Sequence, residues 1–170
     1  MGKTTYIHYG HSFFQPEKMK EKPNLIYTSY KPHGLWASPV DAEWGWKDWC
    51  EETECFLETL DESFQFTLKS KANILHIHSW EDAKPFLIKQ GTYNYSLKLK
   101  TIYKKYDGME LHISENYGEL HDSYPFYLWD VDSICIWNPD IIEGRWNYDR
   151  ISPEMFCESG NGQVRILYPH

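Results

Sequence analysis

The sequence predicts an α+β fold. Segments of strand length recur along the chain, either alternating or wholly apolar, from Thr5 to Tyr9 through to Gln163 to Tyr168. Only a few helical patterns fall between them. Strands do not alternate with long helices, as a doubly wound parallel sheet requires. The 170 residues suit a single domain spanning 1–170, with enough chain for a core that needs neither disulfide nor metal.

Taken in order, Thr5 to Tyr9 is the first strand. Pro16 to Pro23 is charged and bounded by prolines, which predicts a loop or short helix. Leu25 to Ser29 and Leu35 to Ser38 are short strands joined by the turn Pro32-His33-Gly34. Asp41 to about Thr53 reads as a helix, with Asp41 as cap and Trp44, Trp49 and Cys50 at helical spacing. Phe64 to Leu68 alternates as a strand does, and Asn73 to His78 is another. Ser79 is placed as an N-cap, with Glu81 and Asp82 in the first turn of a helix reaching about Gln90, and Pro85 is set to shorten or kink it. Tyr95 to Lys105 is a further helix. Tyr106-Asp107-Gly108 turns into the strand Met109 to Ile113, and a polar loop runs from Ser114 to Ser123. Ser133 to Trp137 is an apolar strand stopped by Asn138-Pro139, and Gln163 to Tyr168 is the last strand. No internal repeat and no low-complexity linker is found.

Composition narrows the function. Aromatic residues make up 17% of the chain, with 8 Trp, 13 Tyr and 8 Phe. Flat side chains fill cores, and they also line ligand clefts, because they offer large contact area at little rotamer cost. The formal charge is -8 and the pI about 5.4. This argues against a general phosphate-backbone binder; the lysines Lys98, Lys100, Lys104 and Lys105 form at most a local basic strip, read as a solvated helix face. The cysteines Cys50, Cys55, Cys135 and Cys157 form no Cys-x-x-Cys pair, so a zinc ribbon, a redox motif or a disulfide scaffold is not expected. A cytoplasmic location is the expectation. No apolar signal core and no membrane-length run is found, so no membrane partner is expected.

Several residues have chemical potential. His8 and His11 flank Tyr9-Gly10 at the end of the first strand, followed by Ser12; a histidine there can hold a ligand hydroxyl or simply bond within the fold. His76 and His78 share a strand face, but spacing supplies no third ligand, so no metal is expected. Asp130 and Asp132 share a face if extended, and with Glu143 they form an acidic group around the strand from Ser133; the alternative is a solvated strand entrance. No nucleophile elbow, P-loop or dinucleotide fingerprint occurs. The densest signal is Lys31-Pro32-His33-Gly34-Leu35-Trp36-Ala37-Ser38, followed by Trp44, Trp46 and Trp49. It marks either a core corner or the wall of a cleft for a flat ligand.

In their order along the chain, these pieces resemble the ADP-ribosyltransferase superfamily, and within it the His-Tyr-Glu branch that includes poly(ADP-ribose) polymerases. The similar features are His8-Tyr9-Gly10-His11-Ser12, then Gly34-Leu35-Trp36-Ala37-Ser38, then a helix ending in Trp49-Cys50. Tyr106-Asp107-Gly108-Met109 and Asp132-Ser133-Ile134-Cys135-Ile136-Trp137-Asn138-Pro139 complete the series, so the likeness covers about residues 5 to 142. The sequence departs from the family in three places. The histidine is either His8 or His11, Trp36 stands for the family's tyrosine, and Ser133 falls at the expected catalytic glutamate.

The resemblance implies split mixed or antiparallel sheets around a central cleft, with NAD as cofactor. It implies mono-ADP-ribosyl transfer to a macromolecular acceptor, a protein rather than a nucleic acid. His8 or His11 would hold the adenosine-side ribose, with Ser12 and Gly34 in the same cofactor motifs. Trp36 and Trp49 would stack nicotinamide, and Ser38 would supply a polar contact. Asp132 is the first candidate for the carboxylate beside the nicotinamide ribose, and Asp130 the second. Two alternatives stand beside this. One is a non-catalytic binding or interaction domain on the same fold that has lost the glutamate. The other is an unrelated α+β domain in which the tryptophans are core.

Overall fold

A computed structural model of the chain describes residues 3–19, 31–92, 94–122, 125–145, 156–158 and 164–166. In chain order the strands are β1 Thr5–Tyr9, β2 Leu35–Pro39, β3 Ser63–Leu68, β4 Ile74–Ile77, β5 Leu87–Lys89, β6 Tyr95–Leu97, β7 Gly108–Leu111, β8 Ser133–Ile136, β9 Ile142–Arg145, β10 Phe156–Glu158 and β11 Val164–Ile166. The α-helices are α1 Trp46–Thr53, α2 Trp80–Ala83, α3 Leu99–Lys105 and α4 Tyr117–His121. Seven strands form one mixed sheet in the order β4-β7-β8-β2-β1-β3-β9. Only β4 and β7 pair in parallel; the other pairs are antiparallel. β5 pairs with β6, and β10 with β11, as separate two-stranded ladders. The α+β class is therefore what the short, irregularly spaced strands predicted.

The sheet is apolar on both faces, because alternate residues of each strand point opposite ways. Leu75, Ile77, Met109 and Leu111 enter one core together with Ala83, Ile102, Leu120, Phe126 and Trp129 from the helices and loops above. Tyr6, Ala37, Phe64, Phe66, Ile134 and Ile136 enter a second core on the other face. Gly34 lets β2 meet β8: a Cβ there would lie 2.2 Å from the Ile136 carbonyl oxygen. Cys50 and Cys135 are buried free thiols and Cys55 an exposed one. Among the described residues no helix is long and apolar enough to cross a membrane.

Three helices are shorter than their sequence patterns, each for a local reason. Residues 41–45 form a turn in place of the first turn of a helix; Gly45 is extended, and its N–H donates to Asp48 Oδ2 at 2.9 Å, so α1 starts at Trp46. After Ser79 caps α2 as expected, Pro85 ends the α-helix at Ala83; a 3-10 turn follows and the chain leaves as β5. Tyr95 to Leu97 is not helical but pairs with β5, and the helix begins only at Leu99. The polar loop after β7 contains a 3-10 turn and α4. β9, with Ile142 alone as its leading apolar residue, was not signalled. Pro16–Met19 is a 3-10 turn, and the strand expected at Leu25 to Ser29 lies outside the described residues.

Candidate functional site

β1 and β2 are paired at Tyr6–Pro39 and Ile7–Ser38. Beyond that point they part: Leu35 to Ala37 pair with β8, while His8 and Tyr9 pair only with β3. His8 spans the opening. Its Nδ1 lies 2.6 Å from the Trp36 carbonyl oxygen, which can only accept, so Nδ1 carries the proton. Nε2 then faces Nδ1 of His11 at 3.3 Å as an acceptor. Burial holds the His8 pKa below its ordinary value; the Trp36 carbonyl opposes this and His11 adds to it, so the neutral ring is favoured.

On one side of the opening lies a cleft of about 330 Å³. His8 and Tyr9 from β1, Trp36 and Ser38 from β2, Trp46 from α1, and Trp129, Asp130 and Ser133 from the approach to β8 all line it, with Lys31 at its rim. A second cavity of about 220 Å³ shares His8 and Trp36 and continues over His11, Phe14 and Gly34. The two cavities thus form two sides of one gap in the sheet.

The cleft combines an aromatic wall with charges of both signs. The Trp36 ring meets Trp129 edge-on at 4.7 Å, and the Lys31 ammonium lies 5.2 Å from the Trp36 ring centroid. The Trp36 face is therefore already a place where positive charge is stabilised. Burial lowers the Lys31 pKa, opposed chiefly by the charge of Asp130. Trp44 fixes the loop that carries Asp130: its indole N–H donates to the Asp130 carbonyl at 3.0 Å, and its own carbonyl accepts from the Asp132 N–H at 3.0 Å. Trp129 is buried and its indole N–H has no hydrogen-bond partner.

The structure brings together His8, Trp36, Ser38, Asp130 and Ser133 from the sequence candidates, and it separates the others. Asp132 is 6% exposed, and its carboxylate accepts from the Ser114 N–H at 2.9 Å and the Ser114 hydroxyl at 2.5 Å. It is turned to that loop and does not line the cleft. Trp49 stacks outside on Trp46 at 5.1 Å, so Trp46 is the cleft residue of that pair. His11 and Gly34 line the second cavity; Ser12 lines neither. Glu143 sits on β9, paired with Lys3, away from Asp130. Ser38 and Ser133 have structural partners as well: Ser38 Oγ accepts from the Trp46 N–H at 3.1 Å, and the Ser133 hydroxyl donates to the Val131 carbonyl at 3.1 Å.

Lys31 and Trp46 belong to the stretch read as a possible cleft wall, without a role of their own, and Trp129 was missed as a lining residue. Trp46 had a signal, since it directly follows Gly45. Of the basic strip, Lys100, Lys104 and Lys105 are exposed on α3, with Lys105 over the Tyr106 ring at 5.1 Å, while Lys98 precedes the helix and donates to the Pro85 carbonyl at 2.8 Å. No family model, curated protein or solved structure matches the chain.

Proposed function

We propose that the gap between β1 and β2 binds NAD and that the protein transfers ADP-ribose to a protein acceptor. The observation that carries this is convergence: His8, Trp36 and Asp130, from three distant segments, line one cleft. The nicotinamide riboside half fits the larger cavity. Its cationic ring takes the Trp36 face that Lys31 covers. The adenosine half runs past His8, whose Nε2 can accept from a ribose hydroxyl, toward His11 and Gly34 in the second cavity.

In the reaction the C1′–N bond breaks and its electron pair leaves with nicotinamide, which departs neutral. The ribose becomes oxocarbenium-like, and an acceptor nucleophile bonds to C1′. Asp130 is the carboxylate at hand to stabilise that charge. Asp132 is held by Ser114 and is assigned to the loop instead.

A second reading has support of its own. Ser133, at the position expected for glutamate, bonds to its own loop. This favours a domain that holds the cofactor without transferring it. Calorimetric titration of the full chain with NAD, followed by assay for released nicotinamide, separates the two. Transfer predicts binding and release, with Asp130→Asn slowing release on the order of 10²–10³-fold at little cost in affinity. Binding without release, in the presence of candidate acceptor proteins, selects the second reading. Absence of binding at millimolar NAD overturns both.

A further inference from the structure

The parallel pair β4–β7 places His76 opposite Glu110. The ladder continues one step, with the His112 N–H donating to the Ile77 carbonyl at 3.0 Å, so His78 and His112 follow on the same face. Three imidazoles and one carboxylate thus tile one corner of the sheet. One ring nitrogen from each of His76, His78 and His112 lies within 4.8 Å of the others. Among the described residues this is the one such group of three.

The carboxylates around it select which nitrogens face inward. Glu110 Oε2 is 3.1 Å from His76 Nδ1. Glu115 is 3.0 Å from His78 Nδ1 and 3.7 Å from His112 Nδ1. That arrangement leaves Nε2 of His76 and His78 without a carboxylate partner. The His112 Nε2 is buried and has no hydrogen-bond partner; Glu110 is 3.8 Å away. Glu110 itself is 2% exposed and accepts a hydrogen bond from the Tyr6 hydroxyl at 3.0 Å. A carboxylate so buried needs positive charge beside it. His76, 3.1 Å away, lies beside it.

From this geometry we infer a binding site for one zinc-class divalent ion, held by one ring nitrogen from each of His76, His78 and His112, with Glu110 orienting His76. Three neutral imidazoles suit borderline transition metals and not magnesium or calcium, which want oxygen ligands. Metal-bound histidines commonly give their other N–H to a carboxylate, as His76 does to Glu110 and His78 to Glu115. Zinc–nitrogen bonds of about 2.0–2.1 Å set tetrahedral ligands about 3.4 Å apart, so the cluster closes by at most about 1.4 Å on loading. His76 and His78 have the freedom for that, being about half exposed. Coordination would replace the present parallel stacking of His78 on His112 at 4.1 Å. Three ligands leave a fourth position for water.

The test uses the tag-free full chain, stripped of metal and titrated with Zn²⁺, with Mg²⁺ as comparison. Co²⁺ is a second probe, because its visible absorption reports tetrahedral nitrogen ligation. The expected result is one equivalent of Zn²⁺, bound far more tightly than Mg²⁺, together with tetrahedral Co²⁺ bands. Both should be lost in His76→Ala/His78→Ala, whose half-exposed positions spare the core; circular dichroism checks the fold. Glu110→Gln should weaken Zn²⁺ about 10–100-fold without abolishing it. Zn²⁺ affinity unchanged in the double variant, or no stronger than that for Mg²⁺, overturns the site.

Discussion

His8 and His76 are both imidazoles on the same face of the sheet, yet their surroundings push them in opposite directions. Burial lowers the His8 pKa, and a bond to Glu110 raises that of His76. In a pH titration followed by NMR, His8 should titrate below the ordinary histidine value and His76 above it. The consequences for stability differ in sign. His8 binds fewer protons folded than unfolded, so stability falls as pH drops through about 6.5 and stops falling below the folded His8 pKa. His112 acts in the same sense. His76 stabilises the fold below about 6.5, and that contribution is lost as pH rises through its raised value. His8→Asn, which keeps a donor for the Trp36 carbonyl, should flatten the acid limb in urea melts at pH 5.5 and 7.5. His8 and Trp36 were legible as candidates to line the cleft because a histidine at a strand end and a tryptophan beside a glycine turn are local signals. Trp129 was not, because only the approach of a distant segment to the Trp36 ring brings it to the cleft.

The elements were legible where one local rule decided them and illegible where two competed. β1, β3 and β8 follow from apolar period or run, and Ser79 capped α2 as expected. The sequence reading ran one helix from Ser79 to about Gln90 and began another at Tyr95, but Pro85 removed a backbone donor and pairing between Leu87–Lys89 and Tyr95–Leu97 won. The same competition shortened α1, where Gly45 and the Asp48 carboxylate replaced Asp41 as the starting signal. Two substitutions test how elements are joined at the cleft. Ser38→Ala removes the oxygen that accepts from the first residue of α1 and should cost about 1 kcal/mol, read from denaturant midpoints. Gly34→Ala puts a Cβ against the backbone of β8 and should cost on the order of 2–3 kcal/mol or prevent β2 from docking. If NAD is the ligand, Trp44→Phe should weaken its binding more than it lowers stability, since the lost indole N–H fixes the Asp130 loop.

At the scale of the whole molecule, topology was the least legible layer. The α+β class followed from strand count and spacing, but no local pattern pairs residue 36 with 135 or residue 76 with 110. The histidine tile was hidden for that reason: His76 and His78 are visible as a strand face, but only the parallel register adds Glu110 and His112. The second core should be sensitive to packing. Phe66→Ala, fully buried in the second core, should cost about 3–5 kcal/mol by equilibrium unfolding. The long reach between β2 and β8 also has a bearing on biosynthesis. Their paired residues stand about a hundred positions apart, so on a ribosome adding roughly 5–20 residues per second, β2 waits on the order of 5–20 s for its partner. During that wait Leu35, Trp36 and Ala37 lack the strand that covers one of their edges. A nascent chain halted before residue 133 should therefore recruit chaperones, and release of the halt should let the sheet close in one late step.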